Sequence, residues 1–168
     1  MSELERIYEA ARLPAAEQHI VATPDECAAL ARRFGLVAVN ALEAWIVLQS
    51  DGPSVRATGR IAADVVQSCA VSGEDLKVRV AEPIALRFVP AQASASGEEE
   101  IELTADELDE IEMDAARFDL GEAAAQTLAL AIDPYLEGPG AEEARRKAGL
   151  LSEGEDGAFA ALKGLLKD

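Results

Sequence analysis

Apolar residues change their spacing along the chain, and each change marks an element. From Thr23 onward Cys27, Leu30, Ala31 and Phe34 recur at helical intervals on one face. Thr23 is a capping residue type, Pro24 suits the first helical position, and Glu26 stands where it can reach back to the cap. Arg32 and Arg33 complement the helix dipole in the last turn and Gly35 ends it. The spacing predicts a helix over 24–34. Leu36 to Gln49, rich in Val, Leu, Ile and Trp, reads as a long strand, and Ser50-Asp51-Gly52-Pro53 as a hairpin turn. Beyond it the period is two. Val55, Ala57, Gly59, Ile61, Ala63 and Val65 share one face, with Arg56, Thr58, Arg60 and Asp64 on the other. After a second turn at Ser72–Asp75, alternation resumes. Leu76, Val78, Val80, Ile84, Leu86 and Phe88 point one way, and Lys77, Arg79 and Arg87 the other. Pro83 cannot donate to a ladder, so the strand is bulged or at an edge there. These three segments predict an antiparallel meander with one buried face.

The flanks are less regular. In the first dozen residues Leu4, Ile7, Tyr8 and Ala11 fit helical spacing, with a short edge strand as the alternative; the chain turns extended near His19-Ile20-Val21. Residues 91–100 (AQASASGEEE) read as a mobile acidic loop. Ile101–Leu103 and Ile111–Met113 are short extended candidates around an acidic turn. Asp119, with Glu122 three residues on, starts a second helix over about 119–133, with Leu120, Ala124, Leu128, Ala131 and Ile132 as its stripe and Pro134 as its stop. Gly138-Pro139-Gly140 breaks the chain, and a short terminal helix is compatible with the residues from Ser152. The expected fold class is α+β: a small antiparallel sheet with two main helices packed on it. It forms one domain over 1–137, followed by a flexible tail over 138–168.

Charge sharpens this picture. The 168 residues carry 32 Asp+Glu and 15 Lys+Arg, a formal net charge of −17. Residues 51–90 hold five acids and five bases, whereas residues 98–137 hold fourteen acids and one base, Arg117. Bulk electrostatics therefore oppose binding to nucleic acid or anionic membrane and favour basic partners. No apolar run is long enough to span a bilayer, and the first residues lack the pattern of a secretory signal, so a cytoplasmic chain is expected. Cys27 and Cys69 are too few for a disulfide framework and read as buried apolar thiols.

Reaction chemistry is hard to assemble. His19 is the only histidine, and no nucleophile elbow, phosphate loop or dinucleotide glycine pattern occurs. No metal-ligand spacing surrounds either cysteine, and the acidic run lacks an ordered calcium pattern. No catalytic residue, metal, cofactor or small-molecule substrate is expected. Arg56, Arg60, Lys77, Arg79 and Arg87 form a third of all positive charge, and alternation sends all five to the solvent side of their strands. Three readings stand: an ordinary sheet surface, a face neutralised by the acidic 98–112 segment, or a contact for RNA phosphates. Stacking aromatics between these bases are absent from the alternation, which argues against sequence-specific single-strand readout.

The order of parts carries a resemblance. Thr23-Pro24-Asp25-Glu26 opens a helix ending in Arg32-Arg33-Phe34-Gly35-Leu36. The meander follows with Asp64-Val65-Val66-Gln67-Ser68-Cys69, then Glu82-Pro83-Ile84-Ala85-Leu86-Arg87-Phe88. An acidic linker precedes Phe118-Asp119-Leu120-Gly121-Glu122 and Leu128-Ala129-Leu130-Ala131-Ile132-Asp133-Pro134-Tyr135. Over roughly residues 4–145 this resembles the YceD-like family, named for large ribosomal RNA subunit accumulation, in its alphaproteobacterial form. Cys69, Asp119, Leu120, Glu122 and Pro134 are the matching motif residues. The resemblance implies a non-enzymatic role in 23S ribosomal RNA accumulation or processing and an extended segment at residues 4–9. Many members carry Cys-x-x-Cys at the second turn; here Ser72 takes the second place. Many also have a proline where this chain has Leu136. The implied partners are precursor 23S ribosomal RNA, met through the sheet face, or a basic large-subunit ribosomal protein, held by the acidic stretch.

Overall fold

In the computed structural model, which describes residues 2–91 and 109–149, the elements run as follows. Strands β1 (Ile7–Glu9) and β2 (Gln18–Val21) precede helix α1 (Pro24–Phe34). Three long strands come next: β3 (Ala38–Asp51), β4 (Ser54–Ser68) and β5 (Asp75–Pro90). After them come β6 (Asp109–Met113), β7 (Arg117–Asp119), α2 (Leu120–Ala131) and α3 (Ala141–Lys147). Five strands form one sheet in the order β2-β3-β4-β5-β6, and β1 pairs with β7 in a separate two-stranded sheet. The α+β reading holds, and residues 7–9 are extended.

Local chemistry explains the boundaries. Thr23 caps α1, accepting from Glu26 N while the Glu26 side chain accepts from Thr23 N, and Gly35 closes the helix at φ 65°, a left-handed conformation suited to glycine. At α2 the cap differs from expectation. Asp119 Oδ1 accepts from Gly121 N at 3.0 Å and Glu122 N at 3.1 Å, but the Glu122 carboxylate turns elsewhere.

The three meander segments lie side by side as β3, β4 and β5, and two further strands extend the sheet. β2, β3 and β4 pair antiparallel, whereas β6 lies parallel to β5, Leu86 beside Asp109 through Pro90 beside Met113, so the sheet is mixed. A strand returning after a long connection is free of hairpin geometry and can enter in either direction. Because β6 reaches only Leu86–Pro90, Pro83 falls where β5 has no neighbour on that side among the described residues.

The chain divides into two units. In the first (described residues 2–67, 77–91 and 109–132), α1 and α2 share a core with one face of the sheet. Leu42, Ala44, Ile46 and Leu48 of β3 alternate inward with Val55, Ala57, Ile61, Ala63 and Val65 of β4 and Val80, Ile84, Leu86 and Phe88 of β5. Each large apolar side chain so buried contributes ~1.5–3 kcal/mol. Ala123, Ala124 and Ala125 keep α2 thin where it enters that core, and a Cβ on Gly121 would lie 1.7 Å from the Leu4 carbonyl oxygen. The second unit comprises residues 68–76 and, among those described, 133–149. Its turn after β4 is tied to the segment beyond Asp133 by Ala70 N donating to Leu136 O at 2.9 Å. The division thus differs from a boundary at 137/138, because the second turn belongs with the later segment. Helix α3 occupies part of the stretch read as a tail. The 92–100 loop, Ile101–Leu103 and the Ser152 helix lie outside the described residues. Among those described, no helix is long and apolar enough to cross a membrane.

Candidate nucleic-acid interface

Helices α1 and α2 pack on one face of the five-stranded sheet, so the alternate side chains project from the other. Arg56 and Arg60 of β4 and Lys77 and Arg79 of β5 are exposed, and Arg87 is half-buried. With them stands a ladder that alternation within single strands did not disclose. Cross-strand register sets His19 of β2 beside Trp45 of β3, and Trp45 beside Arg60 of β4. The His19 and Trp45 rings stack at 4.9 Å between centroids, 10° from parallel, and the Arg60 guanidinium lies 4.5 Å from the Trp45 ring centroid. His19 Nε2 donates to Glu43 Oε2 at 2.8 Å. An aromatic group therefore does stand among the cations, correcting the expectation that none would. The signal was present: Trp45 shares the odd parity of Glu43 in a strand whose even positions are core.

Acids share this face. Arg56 Nη2 is 3.4 Å from Asp51 Oδ2, and Arg87 Nε is 3.6 Å from the same oxygen. Arg87 also reaches Glu110 Oε1 at 3.5 Å, and Arg79 lies 3.9 Å from Asp64 Oδ1. Arg87 Nε is shielded from solvent without a hydrogen bond. Lys77 and Arg60 have no carboxylate partner among the described residues. Exposed pairs this long are worth ~0–1 kcal/mol, so their cations can exchange a carboxylate for another anion. Of the acidic 98–112 segment, the described part, 109–112, runs alongside β5 at the sheet edge, not across the face.

The motif residues lie elsewhere. Leu120 is fully buried and Pro134 follows the end of α2. Asp119 Oδ1 also accepts from Arg6 N at 2.8 Å. Glu122 receives Arg33 through two bonds, Nη1 to Oε2 at 2.8 Å and Nη2 to Oε1 at 2.6 Å, and Ser2 and Gln126 at 3.0 Å each. Arg33 also donates to Glu3 at 2.8 Å. Chiefly through Arg33, the Glu122 carboxyl is held down to about 2. This cluster ties the N-terminus, α1 and α2 together, a structural task. In the second unit, Cys69 Sγ accepts from Gly138 N and Ser72 N at 3.3 Å each. Those donors, Gly138 first, lower the thiol to about 7. Cys69 is buried as expected, and it differs from a plain apolar thiol in accepting these two N–H groups. Cys27 fits that expectation: it is buried in the core, and burial pushes its thiol up.

Residues 57–166 match the family model described as large ribosomal RNA subunit accumulation protein YceD. No curated protein and no solved structure matches the chain.

Proposed function

The chain belongs to the YceD family, and from that premise, which ties it to accumulation of the large ribosomal RNA subunit, we propose that it acts in the cytoplasm by binding and not by catalysis. Precursor 23S ribosomal RNA meets the open sheet face. One observation carries this reading: Arg56, Arg60, Lys77, Arg79 and Arg87, four of them exposed, project from the face opposite the core, beside a Trp45 ring bearing a guanidinium. The strong negative field elsewhere is no bar, since charges beyond ~8 Å are screened at physiological salt. Phosphates replace Asp51, Asp64 and Glu110 at the loose ion pairs, while Arg60 and Lys77 are already available. Five such contacts to a single strand give a log–log salt slope of about −3.5.

The test is ultraviolet crosslinking to 23S precursor RNA with the five bases changed to Glu and the fold checked by circular dichroism. Loss of crosslinking in a folded variant is expected; undiminished crosslinking refutes the face. A second reading, in which the acidic stretch holds a basic large-subunit ribosomal protein, draws on the fourteen acids and one base between residues 98 and 137. Capture of such a protein from cytosol after ribonuclease treatment is its expected result, and capture lost with the RNA its refutation.

A further inference from the structure

A column of planar groups crosses three strands of the first unit. Arg60 of β4, Trp45 of β3 and His19 of β2 stand side by side, with 4.5 Å from guanidinium to indole centroid and 4.9 Å from indole to imidazole centroid. These are the separations of offset-stacked rings, and they follow from strands about 4.8 Å apart. Trp45 is half-buried and has a planar neighbour on each side, since β2 and β4 flank β3. His19 is different, because β2 is the outermost strand of the sheet and the column ends there. Its imidazole has one face on Trp45 and its side chain is still 47% exposed, so the outward face of the ring is open. The ring is also held: Nε2 donates to Glu43 Oε2 at 2.8 Å, which with the stack fixes the plane of the imidazole. A flat group landing there costs little further ordering of the protein. Cross-strand packing accounts for the contacts inside the column and leaves that outward face without a ring partner among the described residues. Val21, two residues along the same side of β2, is 51% exposed and extends the apolar edge.

We propose, building on the RNA reading above, that the outward face of His19 is a stacking site for one unpaired nucleobase, and that the RNA met here is single-stranded at the β2 edge. The next place in the column lies one strand spacing beyond β2, and every nucleobase has the π-face to fill it. Charge selects a nucleotide over a protein aromatic. Arg56, Arg60, Lys77 and Arg79 are exposed on the same side of the sheet, and Arg60 and Lys77 have no carboxylate partner among the described residues. A phosphodiester strand brings both the ring and the anions, whereas a tryptophan or tyrosine side chain brings the ring alone. An intact duplex hides its base faces in its own stack and offers mainly its backbone. A base on His19 thus makes a phosphate-binding face distinguish single strand from duplex.

The experiment uses the full chain and three fluorescein-labelled probes: a short adenosine oligonucleotide, its abasic twin of equal length and charge, and a blunt RNA duplex. Binding is read by fluorescence anisotropy, and the fold of each variant is checked by circular dichroism. His19→Ala is expected to lose about tenfold in affinity for the adenosine probe, within the range of one base–aromatic stack, and to bind the abasic twin and the duplex as the wild type does. His19→Phe, which keeps a flat ring and drops the Glu43 hydrogen bond, should retain the wild-type affinity. His19 is the only histidine, so its carbon-bound imidazole protons are read directly by NMR, and the adenine ring current should move them upfield. Unmoved imidazole protons, or an adenosine affinity untouched by His19→Ala, overturn the stacking site; continued binding of the abasic twin then leaves the phosphate-contact reading standing. Failure of all three probes to bind overturns the stacking site and the RNA reading together. Equal losses in His19→Ala and His19→Phe would assign the effect to the Glu43 bond and overturn stacking. N-Acetyltryptophanamide moving the same protons as strongly at equal concentration would make His19 a general shelf for rings and overturn the assignment to a base.

Discussion

Replacing Glu122 with Gln removes the anion on which Ser2, Arg33 and Gln126 converge. The carboxyl sits at about 2, against ~4.3 in an unfolded chain. Because its folded value is lowered, its stabilisation is complete above the unfolded value and is lost as the pH falls from ~4.3 through ~2. At 1.36 kcal/mol per pH unit the interval corresponds to ~3 kcal/mol. The side chains of Arg33 and Glu122 are 33% and 23% exposed, and solvent screening reduces the expected cost of Glu122→Gln at neutral pH to ~2 kcal/mol. That sum agrees with the ~1.5–3 kcal/mol of a hydrogen bond to a charged group. Urea unfolding, followed by Trp45 fluorescence between pH 7 and pH 2.5, reads both quantities. The wild type should lose ~1.5 kcal/mol more than the variant by pH 2.5, so that their difference narrows as the pH falls. Parallel curves, or equal stability at pH 7, would show that the carboxylate is hydrated in the folded protein and that the N-terminus is held by packing alone.

Gly121→Ala drives a methyl group into the Leu4 carbonyl and should destabilise by ~3 kcal/mol or more in urea unfolding; a loss below ~1 kcal/mol would mean that α2 can shift freely. Ala115 and Ala116 hold φ of 49° and 63° in the turn between β6 and β7. Changing them to Asn and Gly should raise stability by ~1–2 kcal/mol, read as a higher thermal midpoint. In a Cys27→Ser background, thiolate absorbance near 240 nm should appear with a midpoint of about 7. A midpoint at the ordinary ~8.5 would remove the Gly138 and Ser72 donors from the account.

What the sequence disclosed follows from which interactions are local. The α1 cap and stop, the inward faces of β4 and β5 and the Asp119 cap all depend on residues within a few positions of one another, and all were legible. Two kinds of feature were not. Register between strands brings His19, Trp45 and Arg60 into line, and no single-strand periodicity encodes it. Long-range polar pairing hid the task of Glu122: three residues after a cap, it looked like a box partner, but Arg33 offers a bidentate cation that a backbone N–H cannot match. The parallel entry of β6 was hidden for a similar reason. Nothing in five residues specifies direction when a long connection precedes them. The two N–H groups on Cys69 were hidden because a thiol in an apolar neighbourhood and one receiving such groups have the same sequence signature.

The pairing of β1 with β7 has a consequence for how the protein is made. Arg6 N and its acceptor Asp119 are 113 residues apart. A nascent chain emerges at ~5–20 residues per second, so β1 waits ~5–20 s for its partner. Until then the surface of Leu4, Tyr8 and Arg6 is bare. An abortive product ending before β7 keeps it bare, and only a polypeptide translated through Asp119 can pair the strand. Pairing of the earliest strand is thereby postponed until most of the sheet has been made.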